Sequence, residues 1–310
     1  MASITTNGPD NGADRDPVSV FEGHRAQMIR DRMVINVTLG VLFVAFLAWS
    51  VWISRFTPDR LATGIPRIFE YFGTVMPALQ WDVLFDARNE AGRFPAGSIG
   101  YWYNDFWKYL RLIWETILMA LTATILGTGL AVVLSFLAAR NCTPYPWVGA
   151  LARRFLEFCR GVPEILFALI LVFAVGIGPL AGVLAITIHA TGALGKLFSE
   201  VNENASMRPV DGMKAVGGSW FEQMRYGILP QVLPNFTSYA LWRFEINVRA
   251  SAVVGFVGAG GIGAELSHTI SFYSDDRVTA VLLLVVLTVT IIDLLSERAR
   301  HALIGKESLK

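Results

Sequence analysis

The stretch that decides the fold runs from Asp211 to Pro230 and reads D-G-M-K-A-V-G-G-S-W-F-E-Q-M-R-Y-G-I-L-P. It is polar enough to leave a membrane, yet it lies between two long hydrophobic segments. Apolar residues recur at helical spacing over 220–228, which predicts a short amphipathic helix ending at Leu229-Pro230. Gly217 allows a sharp turn before it, because glycine tolerates a positive φ. Such a helix fits a groove on a partner, whereas the plain alternative is an ordinary polar loop.

The composition on either side of this stretch is that of a membrane protein. The 310 residues are 54% hydrophobic and only 16% charged, with a mean hydropathy of +0.48. Soluble domains usually carry about 25% charged residues. The net charge is +1, which gives no support to nucleic-acid binding. We therefore predict an all-α integral membrane protein whose partner is the lipid bilayer.

Six apolar segments are candidate transmembrane helices, since a bilayer core needs about 20 apolar residues per helix. One region, 161–198, is too long for a single span and is interrupted by Gly176-Ile-Gly178-Pro179. A tight turn there predicts two short antiparallel helices, and the alternative is one long helix kinked at Pro179. The candidate segments are Val34–Ile53, Thr116–Ala139, the two halves of 161–198, Val232–Val257 and Val278–Leu295.

The distribution of Lys and Arg favours six spans with both termini in the cytoplasm. Five spans would place the basic C-terminal tail outside. The segment 55–113 carries seven Lys and Arg on the outside, but long loops follow the charge rule poorly. The resulting division is a partly disordered cytoplasmic tail (1–32), a first transmembrane helix (33–54), an extracytoplasmic segment (55–113), a core with five transmembrane helices (114–300) and a cytoplasmic tail (301–310).

Two parts of this division have features of their own. The aromatic run Tyr101–Tyr109 predicts an interfacial helix, because Trp and Tyr favour the headgroup layer. The loop 199–231 lies between the fourth and fifth spans and contains the short helix described above. The first hydrophobic run is too long and starts too late for a cleaved secretory signal. We therefore expect it to be retained.

Charged residues within the fifth span indicate a functional site, because charges in a membrane are expensive and face a cavity or a partner. Glu245 and Arg249 are four apart and can pair on one helix face, and Arg243 shares another face with Asn247. The excess of one positive charge suits a passing anion, since guanidinium binds phosphate-like oxygens in two-point fashion. A structural ion pair that locks helices is the alternative. His189, in the middle of another span, lines the pathway or makes an interhelical hydrogen bond.

Several other readings are excluded or disfavoured. The run Gly258-Ala-Gly-Gly-Ile-Gly263 fits G-x-G-x-x-G, but no βαβ unit surrounds it, so a dinucleotide site is rejected. These glycines instead allow close helix packing or an irregular gate loop. There is no phosphate-binding loop of the Walker type, and no catalytic constellation or metal-ligand spacing stands out. The two cysteines are expected to be inert thiols.

Together these motifs resemble the permease subunits of bacterial phosphonate-type ABC importers, over roughly 110–300. The Asp211–Pro230 stretch resembles the loop by which all type I importers grip their ATPase, with Asp211 and Gly212 in place of the usual Glu-Ala. The runs more particular to the phosphonate group are Val175-Gly-Ile-Gly-Pro179 and Phe244-Glu-Ile-Asn-Val-Arg249. The glycine run also resembles methionine and betaine permeases. The resemblance includes Arg160-Gly-Val-Pro-Glu164 as well.

The resemblance implies a type I importer permease fold with a cytoplasmic coupling helix between spans 4 and 5. It implies a bacterial inner-membrane protein, paired with a second copy of itself, two ATP-binding subunits and an extracytoplasmic substrate-binding protein. ATP and Mg²⁺ would bind the partner ATPase, and this chain would hold no cofactor or metal and would not be an enzyme. The cargo implied is phosphonate, phosphate or a related oxyanion; a permease for methionine, betaine or another small solute is the alternative.

The candidate site residues fall into three groups on this reading. The ATPase-coupling residues are Asp211, Gly212, Ala215, Gly217, Arg225, Leu229 and Pro230. The substrate-pathway residues are His189, Arg243, Glu245, Asn247, Arg249 and Ser251. The gate or packing glycines are Gly258, Gly260, Gly261 and Gly263.

Overall fold

The computed structural model describes residues 17–89, 94–272 and 276–304, and within these ranges every regular element is helical. This confirms the all-α prediction. The chain divides into two compact units, residues 1–71 and 72–310. The disorder expected over about the first twenty residues falls mostly on 1–16, which lie outside the described residues, and from Pro17 onward the chain is helical.

The first unit holds a long helix and most of a second. Helix α1 covers Pro17–Ile53, and α2 covers Pro58–Val75, so that the unit boundary lies near the end of α2. The helix therefore begins well before the predicted start of the first span. Within it, His24–Ile53 has a mean hydropathy of 2.2 and is long enough to cross a membrane.

The second unit contains the remaining ten helices of the described chain. Their bounds are α3 Ile99–Trp102, α4 Phe106–Ala138, α5 Pro146–Gly161, α6 Glu164–Val175, α7 Pro179–Glu203, α8 Arg208–Ala215, α9 Trp220–Glu222, α10 Leu229–Val254, α11 Gly261–Phe272 and α12 Asp276–Ile304. Helix α4 lies at the centre of this unit and contacts α5, α7, α10, α11 and α12.

The aromatic run Tyr101–Tyr109 does not form the single interfacial helix that we predicted. Ser98 caps the one-turn helix α3 by accepting a hydrogen bond from Tyr101 N at 3.1 Å. The chain then turns, and the N–H of Tyr109 reaches the Asp105 carbonyl at 3.1 Å in the first turn of α4. The run is therefore split between two helices, since α3 ends at Trp102 and α4 begins at Phe106.

The interruption at Gly176-Ile-Gly178-Pro179 makes two helices, as the first of the two alternatives predicted. Gly176 has a φ of 91° and Gly178 a φ of 150°, conformations that glycine adopts without a steric penalty. Pro179 then occupies the first turn of α7, where its missing N–H is not needed. Helix α6 has only 12 residues, too few to cross a bilayer alone, and it meets α5 at an angle of 89°.

The described chain contains four helices long and apolar enough to cross a membrane by themselves, namely α1, α4, α7 and α12. The number rises to six if each of two bent helix pairs is one span. These pairs are α5 with α6, and the segment Trp220–Val257 with α11. This upper number equals the six spans predicted. The third span then consists of α5 and α6, whereas the predicted span began only at residue 161.

The segment between α7 and α10 corrects one prediction. Leu229-Pro230 does not end a helix, because α9 continues through a π-helical turn, Gln223–Ile228, directly into α10. Pro230 has no N–H to donate, so one main-chain hydrogen bond of the α-helix is missing there. The turn before it widens to a π-helical turn. The predicted turn at Gly217 is present, with a φ of 80°.

Candidate functional site

The segment 208–228 is anchored on the ends of two long helices. Val210, Met224 and Ile228 are buried in one cluster with Phe198 of α7 and Phe236 of α10. The two phenylalanine rings stack with their centroids 4.0 Å apart. Apolar burial and ring stacking thus hold the segment on α7 and α10.

Hydrogen bonds to neighbouring loops add to this anchorage. Trp220 donates from Nε1 to the Cys142 carbonyl at 2.7 Å, which ties α9 to the loop between α4 and α5. Gln231 exchanges two hydrogen bonds of 3.0 Å with the main chain of Ser206. The same environment buries the Cys142 thiol, and burial raises its pKa to about 11.

The opposite face of this segment is exposed. Most of the predicted coupling residues lie on it, while Leu229 is half-buried. The exposed members are Asp211, Gly212, Ala215, Gly217, Arg225 and Pro230. Three large apolar side chains accompany them, with Val216 79%, Phe221 62% and Tyr226 59% exposed. An apolar patch surrounded by polar groups has the make-up of a protein-docking surface.

The capping of α9 fixes the shape of this face. Ser219 accepts a hydrogen bond from Glu222 N, and the Glu222 carboxylate accepts one from Ser219 N at 2.7 Å, which forms a capping box. The Glu222 carboxylate thus caps α9 and does not pair with Arg225, one turn later. Arg225 instead lies over the Tyr226 ring, 5.5 Å from its centroid.

Helix α10 carries its polar residues on two faces that have different surroundings. One face is buried against α4: Asn247 is fully buried and donates to Thr124 Oγ1 at 2.9 Å. Ser251 is also buried and donates to the Asn247 carbonyl at 2.8 Å. These two predicted pathway residues are therefore held in helix packing.

Arg243 belongs to a cluster that joins α6, α7 and α10, here called the Glu164–His189–Arg243 cluster. Its Nη2 donates to His189 Nδ1 at 2.5 Å. The Glu164 carboxylate lies 3.5 Å from the same nitrogen, and His189 also hydrogen-bonds the main chain of Arg160. Arg243 is 7% exposed, and its Nε has no hydrogen-bond partner.

The other face of α10 forms a second cluster with α12. Glu245 accepts from Arg249 at 2.7 Å, as its spacing predicted, and lies 3.4 Å from Arg300. Arg249 also approaches Asp293 at 3.8 Å. We call these four residues the α10–α12 cluster. It contains two acids and two arginines and is therefore neutral.

The family to which the chain belongs follows from comparison with known proteins. Residues 131–304 match the family described as the inner membrane component of binding-protein-dependent transport systems. The chain belongs to this permease family.

Two relatives align along most of the permease. The putative phosphite transport system permease protein HtxC of Stutzerimonas stutzeri is 33% identical over 86% of this chain and 86% of its own length. The phosphite transport system permease protein PtxC of the same organism is 36% identical over 84% and 86%. The phosphate-import permease protein PhnE of Mycolicibacterium smegmatis is 39% identical over 61% of this chain and 36% of its own.

A solved structure shows the same fold. A chain of the MetNI methionine ABC transporter in an inward-facing conformation superimposes with a TM-score of 0.55, covering 64% of this permease and 98% of that chain. The identity is 22%, so this likeness concerns the fold alone. The permease is thus a multi-pass membrane protein with a type I importer permease fold, as predicted.

The glycine run of the permease combines an irregular backbone with close helix packing. Gly258, Gly260 and Gly261 have φ between 69° and 91°, and α11 begins at Gly261. Gly258 accepts a hydrogen bond from Gly178 N at 3.0 Å, which joins the run to the turn between α6 and α7. Gly263 leaves no room for a Cβ, which would collide with the main chain of Ala252.

Sequence reasoning missed the counter-charges of the permease's membrane arginines. Glu164 and Asp293 come from other helices, and Arg300 of α12 is a third arginine that faces them. With them, three arginines face three acids across the two clusters, so the net positive charge inferred from 243–249 alone is not retained. The signal that points to Glu164 is its place just after Gly161-Val-Pro163, where a helix restarts.

Proposed function

We propose that this chain forms half of the pore of an ABC importer that brings phosphonate, phosphate or a related oxyanion into a bacterial cell. The observation that carries the substrate class is the alignment, along more than four fifths of the chain, with two permeases named for phosphite transport. The buried guanidinium of Arg243 agrees with it, because a guanidinium is suited to two-point binding of such oxygens.

The energy comes from a separate ATPase in this proposal, and ATP with Mg²⁺ binds there. The exposed face of 208–228 is the docking surface, and its anchorage on α7 and α10 carries the ATPase motion into the membrane. An extracytoplasmic binding protein delivers the anion. Two copies of this chain enclose the pathway, and both termini lie in the cytoplasm beneath a bacterial inner membrane.

The pathway residues assigned from sequence divide in two under this proposal. Arg243 and His189 belong to a cluster with an unused donor on a charged group, whereas Asn247 and Ser251 each donate a hydrogen bond within the helix packing, although Asn247 Oδ1 has no partner there. Arg249 and Glu245 tie α10 to α12 and act on the anion only through the position of α10. The gate is assigned to the glycine run and the turn at Gly176–Pro179.

The test is ATP-dependent uptake by proteoliposomes containing this chain, its ATPase and its binding protein. Labelled phosphite, phosphate and methylphosphonate are compared with methionine and betaine, and an ATPase variant without hydrolysis is the control. Uptake of an oxyanion that requires hydrolysis supports the proposal. Uptake of methionine or betaine alone would keep the permease fold and overturn the substrate class.

The second copy is tested separately. Native mass spectrometry of the purified complex is expected to show two copies of this chain with two ATPase subunits. A complex that holds one copy and a different permease chain would overturn the homodimer but not the transport function.

A further inference from the structure

The break between α5 and α6 lies beside the middle part of α7, a helix long enough to cross a membrane. Arg160 N lies 2.5 Å from where a Cβ would stand on Gly192, in the middle part of α7. Glu164, the first residue of α6, approaches His189, which is the eleventh residue of the same helix. Non-helical backbone at such depth in a membrane is tolerated only where it is buried in protein or lines an aqueous cavity.

The start of α6 presents unused hydrogen-bond donors at this break. The first N–H groups of a helix have no partner within it, and Pro163 supplies no side-chain cap. Leu166 N donates to the Pro163 carbonyl at 3.0 Å, so the donors left at this end of α6 are the N–H groups of Glu164 and Ile165. The helix dipole adds a partial positive charge at the same end. The Gly161 and Pro163 residues just before it are exposed, and nothing lies within 4 Å of a Cβ on Gly161. The break is therefore open to an incoming ligand.

Arg243 is an independent observation that points to the same place. Its side chain is more than nine-tenths buried, its Nε has no partner, and its Nη2 is held on His189 beside Glu164. Since Nδ1 of His189 accepts from the guanidinium and lies 3.5 Å from the Glu164 carboxylate, the ring holds Arg243 near the first residue of α6. A buried guanidinium with a free donor is costly unless an anion completes its contacts.

From these observations, and resting on the oxyanion function proposed above, we propose that the break is the oxyanion site within the membrane, with Glu164 as its resident counter-ion. The substrate binds Arg243 and the first N–H groups of α6. When the site is empty, the Glu164 carboxylate balances the charge of Arg243 through His189. The arriving anion displaces that carboxylate, so the membrane never holds an unbalanced arginine.

Displacement of the Glu164 carboxylate by the anion leads to an unusual prediction: removal of this charged group should strengthen anion binding. Glu164→Gln keeps the shape of the side chain but removes the competing charge. Binding of phosphate or methylphosphonate to the permease–ATPase complex in lipid nanodiscs is expected to tighten by about tenfold or more, because one like charge a few ångströms away opposes the anion by at least this much outside bulk water. Arg243→Gln is expected to weaken binding about a hundredfold, and Arg243→Lys less.

The matched control is Glu157→Gln, which removes a carboxylate from α5 that pairs with the exposed Arg154 at 2.6 Å. It is expected to leave anion binding within twofold of the wild type. Thermal unfolding of each complex, with and without phosphate, accompanies the binding measurement. The Glu164→Gln complex should unfold at a lower temperature when empty and gain more from phosphate than the wild type.

The outcomes separate this site from the proposed function. Tighter binding by Glu164→Gln, with Glu157→Gln unchanged, supports the site. Wild-type uptake of an oxyanion combined with unchanged or weaker binding by Glu164→Gln overturns it and leaves the cluster as a helix-locking contact. Oxyanion uptake without measurable binding to the nanodisc complex also overturns it. If the wild type takes up no oxyanion at all, the substrate class itself fails, and the site with it.

Discussion

Asn247 of α10 donates a hydrogen bond to Thr124 of α4 at 2.9 Å, and both side chains are buried. A second pair of the same kind joins α7 to α4, with Asn202 donating to Ser135 at 3.1 Å. In each pair an amide reaches a hydroxyl on the central helix. Helix α4 thus contacts α7 and α10 through buried hydrogen bonds as well as apolar packing. Because a hydrogen bond requires a defined geometry, these contacts fix the orientation of the helices.

Thr124→Val tests the first of these contacts. The change keeps the shape but leaves the buried Asn247 amide without its partner, so we expect a loss of about 1–2 kcal/mol in unfolding free energy. Thr128→Val, one turn further along the same helix, is the control, because the Thr128 hydroxyl is buried without a hydrogen-bond partner. Denaturant unfolding in detergent measures both. A Thr128→Val loss equal to that of Thr124→Val would contradict the assigned role of the bond.

Gly217 and Gly212 form a matched pair in the docking segment. A Cβ would meet nothing within 4 Å at either position, but only Gly217 has a positive φ, 80°. Gly217→Ala is therefore expected to cost about 1–2 kcal/mol through backbone strain alone and to weaken binding of the ATPase severalfold. Gly212→Ala adds the same methyl group to the docking face without backbone strain and should weaken binding less than Gly217→Ala does. Pull-down of the ATPase and uptake rates measure the difference, and equal behaviour of the two variants would show that the turn does not set the docking face.

The Cys142 thiol reports on the anchorage of the same segment. Because burial raises its pKa to about 11, little thiolate is present at pH 8, and maleimide labelling should be on the order of a hundredfold slower than for the unfolded chain. The rate should climb with pH until it passes that pKa. A Cys159→Ser background isolates the signal, since both cysteines are free.

Trp220→Phe then removes the hydrogen bond to the Cys142 carbonyl. Labelling should accelerate if this bond keeps the segment closed over the thiol. Fast labelling of the unmodified segment at pH 8, equal to that of the unfolded chain, would contradict the buried environment.

Much of this fold could be predicted because its signals are local. Glycines at 176 and 178 followed by Pro179 specify a turn within a hydrophobic run, and the i,i+4 spacing of Glu245 and Arg249 specifies a pair. The π-helical turn before Pro230 was missed because the sequence shows that a helix is interrupted there, not whether it stops or widens. Glu164 was missed as a partner of Arg243 because that contact joins residues far apart in sequence.

The last prediction concerns the α10–α12 cluster and separates a structural arginine from one that meets substrate. Glu245 is 13% exposed at its side chain and lies beside both Arg249 and Arg300, so Glu245→Gln removes a carboxylate that two guanidinium groups share, while Asp293 stays 3.8 Å from Arg249. We expect a loss of about 3 kcal/mol in unfolding free energy, because a partly buried charge is left unbalanced.

Arg249→Gln should cost less, about 1 kcal/mol, because its side chain is 48% exposed and Glu245 keeps Arg300. Glu200→Gln, which breaks the exposed pair with Lys196, is the control and should change the unfolding free energy by less than about 0.5 kcal/mol. Uptake by Arg249→Gln should fall at most about fivefold, in line with this modest destabilisation. A hundredfold loss of uptake in a stably folded Arg249→Gln permease would instead place Arg249 in direct contact with the anion, and the cluster would then be part of the pathway.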